Sequence, residues 1–170
     1  SFENICLAVE GFYSVESPDA SGYALPAITS EIAIIGNGST LARDSETTDE
    51  FGIFRVENSG TLYLSNLTLG NGYNSGGSEP SGGAISNAGT VVVTGSTLEN
   101  NTAVEYGGAI FNTGALTLID STITGNTAIN YGGGGIRSTD GIVEIINSEV
   151  SGNFRVEPGA DNDLVDGQRN

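Results

Sequence analysis

Residues 82–153 repeat one pattern three times: GGAISNAGTVVVTGSTLENN (82–101), GGAIFNTGALTLIDSTITGN (107–126) and GGGIRSTDGIVEIINSEVSGN (133–153). Laid on Gly89, Gly114 and Gly141, the copies superpose Val91/Leu116/Val143, Val93/Leu118/Ile145, Ser96/Ser121/Ser148, Leu98/Ile123/Val150 and Asn101/Asn126/Asn153. A unit of about 25 residues recurring at a fixed period is the mark of stacked structural repeats. Such stacks present long regular faces rather than one closed pocket.

Within each unit apolar and polar residues alternate. Val91 and Val93, Leu116 and Leu118, and Val143 and Ile145 share one face of a strand, while Val92, Thr117 and Glu144 point the other way. A second short strand turns Leu98, Ile123 and Val150 inward and Thr97, Thr122 and Glu149 outward. A third begins after Gly82–Gly83, Gly107–Gly108 and Gly133–Gly134 and turns Ile85, Ile110 and Ile136 inward. The period is 2, and no apolar stripe of helical spacing is present. Three short strands per coil predict an all-β, right-handed parallel β-helix, with equivalent residues roughly 4.8 Å apart in successive coils.

The glycine pairs allow a tight bend and close approach of neighbouring backbone. Asn101, Asn126 and Asn153 end the second strand. They are expected to take the left-handed conformation of a coil corner, and their stacked amides to form an internal hydrogen-bonded ladder.

The pattern weakens toward the N-terminus. NSGTLYLSNLTLGNG (58–72) puts Leu62 and Leu64 where Val91 and Val93 stand, and Leu69 where Leu98 stands. TSEIAIIGNGSTL (29–41) offers Ile32 and Ile34 in the same phase, and NICLAVEGFYSV (4–15) offers Ile5 and Leu7. The expectation is one β-helix over 1–155, with irregular coils over 1–80 and regular repeats over 81–155, followed by an acidic segment at 156–170. That makes about six coils, near 3–23, 24–51, 52–80, 81–105, 106–130 and 131–155, more than the three or so a solenoid core needs.

Composition narrows the function classes. Lysine and histidine are absent, and five arginines face 21 acidic residues for a net charge of −16. A phosphate backbone would be repelled, which argues against nucleic acid as a partner. There is no run of 18 apolar residues, so no membrane insertion by a helix is expected. The chain begins at Ser1 and contains no methionine, so Ser1 is not expected to be a translational start. Cys6 has no internal partner; it reads as a small core residue, or as an unpaired thiol available between chains.

The Gly-Gly-Ala-Ile pattern followed by apolar-x-x-Asn resembles the repeats of chlamydial polymorphic outer membrane proteins. It is also similar to the wider set of secreted bacterial right-handed parallel β-helix proteins. Gly82–Ile85 with Leu98–Asn101, Gly107–Ile110 with Ile123–Asn126, and Gly133–Ile136 with Val150–Asn153 carry the likeness. LPAITSEIAIIGNGSTLARD (25–44) looks like the segment that precedes such repeats in large surface proteins. The third copy departs in reading Gly-Gly-Gly-Ile. The resemblance implies an extracellular or cell-surface passenger section, often part of a much longer chain.

Candidate chemistry is sparse. Without histidine the commonest general base is missing, and Cys6 and the absent lysines leave no activated nucleophile. Lyases of this architecture are expected, by resemblance, to pair calcium-binding carboxylates with a basic residue. Glu144 and Glu149, with Arg137 on the same coil, are the nearest approach to that set or to a glycosidase carboxyl pair; plain solvation is the alternative reading. Asp161, Asp163 and Asp166 on a glycine-flanked loop offer the oxygen donors that calcium takes, without the EF-hand spacing. A solvated acidic loop is the alternative there. The outward Thr97 and Thr122 suggest an ice-binding array, but Glu149 breaks it. Asn37, Asn66 and Asn100 head sequons of a kind that chance also supplies in such a composition.

Two functions remain. The leading one is a non-catalytic extracellular structural or adhesive solenoid, with no catalytic residues and no cofactor save calcium. Its partners would be further coils of a parent chain, like subunits stacked head to tail, or a glycan or cell-surface receptor. The rival is a carbohydrate-active or carbohydrate-binding β-helix, which a groove with converging carboxylates and exposed aromatics would favour. Tyr63, Tyr106, Phe111 and Tyr131 are the rings to follow, with a corner stack between coils the plainer role for Tyr106 and Tyr131.

Overall fold

A computed structural model describes residues 2–8, 10–19, 22–76 and 82–156. Alternation is realised as strand after strand. The first layer holds β1 (Phe2–Cys6) and β2 (Phe12–Val15). The second holds β3 (Glu31–Arg43) and β4 (Phe54–Val56), and the third β5 (Thr61–Gly70), β6 (Tyr73–Asn74) and β7 (Ile85–Asn87). Then come β8 (Thr90–Thr94), β9 (Thr97–Glu99), β10 (Thr102–Ala103) and β11 (Ile110–Asn112). The pattern recurs as β12 (Ala115–Ile119), β13 (Thr122–Thr124), β14 (Thr127–Ala128) and β15 (Ile136–Ser138). It ends with β16 (Ile142–Ile146), β17 (Glu149–Ser151) and β18 (Phe154–Arg155).

All these strands pair in parallel, each with its equivalent one coil away, so the fold is the expected parallel β-solenoid. Three sheets wrap the core. β4, β7, β11 and β15 form one, β6, β10, β14 and β18 a second, and the remaining ten strands a third that bends at a corner. The two-residue strands of the second sheet make four strands per regular coil rather than three. Their inward residues, Ala103 and Ala128, follow each Asn-Thr pair and are too small to mark a strand by alternation.

The turn length also differs from expectation. The third sheet starts its layers at Phe2, Glu31, Thr61, Thr90, Ala115 and Ile142, steps of 29, 30, 29, 25 and 27 residues. The six layers span about five turns averaging about 28 residues, not 25. The extra length lies between strands. Residues 75–84 link β6 to β7, whereas only 104–109 link β10 to β11. Arg43 braces the long loop after β3, donating to the carbonyls of Asn71, Thr47 and Asp49 with its guanidinium 5.9 Å from the Phe51 and Tyr73 rings.

The core consists of columns. Leu64, Val93 and Leu118 stack in one, Leu69, Leu98 and Ile123 in another, and Phe54, Ile85, Ile110 and Ile136 in a third; all are at most 1% exposed. Each contributes roughly 1.5–3 kcal/mol by leaving water, as a fully buried apolar side chain does. Three expected core residues stand apart, the first being Ile5, which faces inward on the first layer but is 44% exposed. Ile145 continues the Leu118 column on the last described layer but is 43% exposed, because no further described coil covers it. Cys6 is exposed: it pairs with Ile35, one residue past the inward Ile5, on the outward phase of the strand.

Corners solve a backbone problem. The left-handed residues are Asn66, Gly95, Asp120 and Asn147 at one corner and Asn71, Asn100, Gly125 and Gly152 at the next. Asn101, Asn126 and Asn153 therefore do not hold the left-handed position expected of them; the residue before each does. Such a kink takes the following N–H out of the strand ladder, and a side chain from the next coil receives it. Leu67, Ser96 and Ser121 donate their N–H to the Oγ of Ser96, Ser121 and Ser148. Gly72, Asn101 and Asn126 donate theirs to the Oδ1 of Asn101, Asn126 and Asn153. Glycine is required where coils press together: a Cβ on Gly83 or Gly108 would lie 2.2 or 2.0 Å from the carbonyl oxygen of Gly108 or Gly134.

Candidate functional site

The internal residues singled out by sequence have structural places. Asn101 Nδ2 donates to Asn126 Oδ1 at 3.0 Å, and Asn126 Nδ2 to Asn153 Oδ1 at 2.8 Å, inside the solenoid. The same amides reach back to the carbonyls of Leu69, Leu98 and Ile123. A second ladder escaped the sequence reading: Asn87 Nδ2 donates to Asn112 Oδ1 at 2.7 Å, and Asn112 Nδ2 to Ser138 Oγ at 3.1 Å. Its signal was a polar residue two places after each of Ile85, Ile110 and Ile136. These groups are buried and mutually satisfied, which is the chemistry of a scaffold.

Outward columns vary far more. The corner sheet carries Thr40, Thr68, Thr97 and Thr122 in register, followed by Glu149. Thr40 and Thr68 lengthen the column beyond the pair legible in the repeats, and stacked threonines support a sheet by cross-strand packing. Glu144 and Glu149 are exposed on this sheet, on either side of the corner at Asn147. Glu149 accepts a hydrogen bond from Ser151 Oγ at 2.5 Å. Arg137, on β15, belongs to a different sheet from Glu144 and Glu149. Asn37, Asn66 and Asn100 are all left-handed bend residues. Asp161, Asp163 and Asp166 lie outside the described residues. Among the described residues no group of three or more His, Cys, Asp or Glu is placed to hold a metal ion.

The sheet of β4, β7, β11 and β15 has the distinctive exterior. Its outward positions run Arg55, Ser86, Phe111, Arg137 in register across four coils. Two of the five arginines of a −16 chain thus share one column. Arg55 Nε meets Glu57 Oε1 at 2.8 Å. The Tyr23 hydroxyl donates to Ser86 Oγ at 2.9 Å, pinning that ring against the sheet. On the N-terminal side of the strands, Tyr106 and Tyr131 stack between coils with centroids 5.0 Å apart. Tyr106 lies 5.7 Å from Phe111, and the Arg137 guanidinium sits 5.7 Å from the Tyr106 ring. Tyr131 is 49% exposed.

A groove of about 490 Å³ opens toward the C-terminal side of these strands; its rings, Tyr23 and Phe111, are buried, and Tyr106, Tyr131 and Arg137 are not among its walls. Tyr23, Phe111, Arg55, Glu57, Thr113 and Asp140 are among its walls. Its size is that of an ordinary ligand cleft, and its walls mix apolar faces with hydroxyl, carboxylate and guanidinium groups. Tyr63 stands away from it, on the corner sheet. The sequence reading found Phe111, Tyr106, Tyr131 and Arg137 separately. It did not join them to Tyr23 and Arg55, because the irregular N-terminal coils hid the alignment.

No protein-family model, curated protein or solved structure matches this chain.

Proposed function

We propose that the chain is a non-catalytic structural or adhesive β-solenoid working outside the cell, as a section of a surface protein or a subunit of a filament, with the face that exposes Tyr131 as its contact surface. The observation that carries this reading is the division of labour within each coil. Inward side chains repeat and satisfy one another, while one outward face carries Arg55, Ser86, Phe111 and Arg137 in register beside the Tyr106–Tyr131 stack. The resemblance of the Gly-Gly-Ala-Ile repeats to those of chlamydial surface proteins supports it.

A catalytic alternative finds less support. Glu57 is tied to Arg55, and Glu144 and Glu149 stand on another sheet from Arg137. Carboxylates spread over an acidic surface serve solubility. Beads coated with the chain should be held under flow on surfaces bearing cells or polysaccharide, and beads coated with Tyr131→Ala protein should be held less. Retention of neither coated bead on any surface, or equal retention of both, would refute the adhesive reading.

A further inference from the structure

We propose that the C-terminal edge of the solenoid docks a further parallel β-layer with apolar residues at its inward positions, and that Glu3 bars the N-terminal layer of a second copy from docking there. The inference rests on the structural reading above. It narrows that reading to a section joined to further coils rather than a filament of identical copies. Among the described residues no strand pairs with the outer edges of β16 and β17. Ile142, Ile145 and Ile146 are exposed there, and Val143 and Val150 are only partly buried. Unpaired backbone groups beside apolar side chains are a template for another strand.

The other end is open as well, since the outer edges of β1 and β2 pair with no described strand. Stacking a second copy would continue the columns in the register that joins the layers. Its Ile5 would follow Leu118 and Ile145, and its Tyr13 would follow Ile123 and Val150. The wider corner between β1 and β2 is no obstacle, because β3 already meets β5 across a register shift between Ile35 and Ser39. Outward neighbours would not repel: Asn4 would face Glu144, and Phe12 would face Glu149.

Glu3 is the exception. It holds the position of Ile32, Leu62, Val91, Leu116 and Val143, and it is the one charged member of that column. Its side chain is exposed. Stacked on Val143, the carboxylate would leave water for an apolar interior. A charge pointing inward from an end layer keeps that edge from pairing. At the C-terminal end the inward positions are Val143, Ile145 and Val150, so that edge stays receptive.

The test replaces the charge. Sedimentation of the intact chain at neutral pH should show a monomer for the parent and for Glu3→Lys. Glu3→Leu turns the chain's own N-terminal layer into the apolar partner, and it should associate with a dissociation constant below about 100 μM. The contact is heterologous, so electron microscopy should show open fibres. Adding Ile145→Lys to Glu3→Leu should restore the monomer, with melting curves showing every variant folded. Should that double variant fail to fold, Val150→Lys in place of Ile145→Lys decides. The inference is overturned if the parent associates, if Glu3→Leu stays monomeric or forms closed dimers, or if Ile145→Lys leaves its association unchanged. Bead retention is read on the parent and on Tyr131→Ala, so the adhesive reading and the edge assignment fail separately.

Discussion

Asn101 and Asn126, one coil apart, meet twice over: the Oδ1 of Asn126 receives the Asn101 backbone N–H at 2.9 Å and its Nδ2 at 3.0 Å. One side-chain oxygen thus stands in for the strand carbonyl that the left-handed residue before Asn101 takes out of line. Asn126 in turn gives its Nδ2 to Asn153 and to the Leu98 carbonyl. The interior is therefore joined by side chains at the positions where backbone pairing breaks.

Replacing Asn126 should be costly in a manner that separates its two functions. Asn126→Ala leaves buried N–H and C=O groups unpaired, at about 1–3 kcal/mol for each group stranded. Asn126→Asp keeps the acceptor but loses both donors and buries a charge, so it should be at least as destabilising at neutral pH. Chemical denaturation of both variants measures this; a loss below about 0.5 kcal/mol for either would mean the ladder is incidental.

The alternation predicts opposite outcomes for adjacent positions. Leu118 is fully buried, and Leu118→Ala should cost about 2–5 kcal/mol. Thr117 beside it points outward, and Thr117→Ala should stay within about 0.5 kcal/mol. Comparable losses at the two positions would contradict the assigned phase.

Glycine sites should divide by their surroundings. At Gly108 a Cβ would strike the Gly134 carbonyl at 2.0 Å, whereas at Gly95, φ 55°, nothing lies within 4 Å. Gly95→Ala should therefore cost only the left-handed penalty, about 1–2 kcal/mol. Gly108→Ala should cost more, because coils must separate. Melting temperatures of the two variants check the order.

Between coils, Tyr106 and Tyr131 should add about 0.5–1.5 kcal/mol beyond their buried area. A double-mutant cycle with leucine at each position isolates that coupling, and a value near zero would remove the stack from the account.

Much of this architecture was legible because each repeat imposes the same demand in three copies. Val93 and Leu118 were readable as core, since a period of 2 can bury only one face. Ile145 shows the limit of that logic: the pattern gives direction, and a covering coil gives burial. Cys6 was misread because a single apolar residue in a weak repeat does not fix its phase. The corner asparagines were misplaced by one residue because asparagine serves equally as a left-handed residue and as a ladder side chain, and Asn100–Asn101 contains both. The face of Arg55, Ser86, Phe111 and Arg137 was hidden since its residues are chemically unlike, and only the register aligns them.

The central claim is that this solenoid presents a surface and does not turn over a substrate. Its most direct measurement is product release: incubation of the intact chain with a panel of neutral and acidic polysaccharides, with new reducing ends and unsaturated products quantified over time. The account predicts none above the protein-free blank. Sustained release that disappears in Glu57→Gln, Asp140→Asn, Glu144→Gln or Glu149→Gln would contradict it.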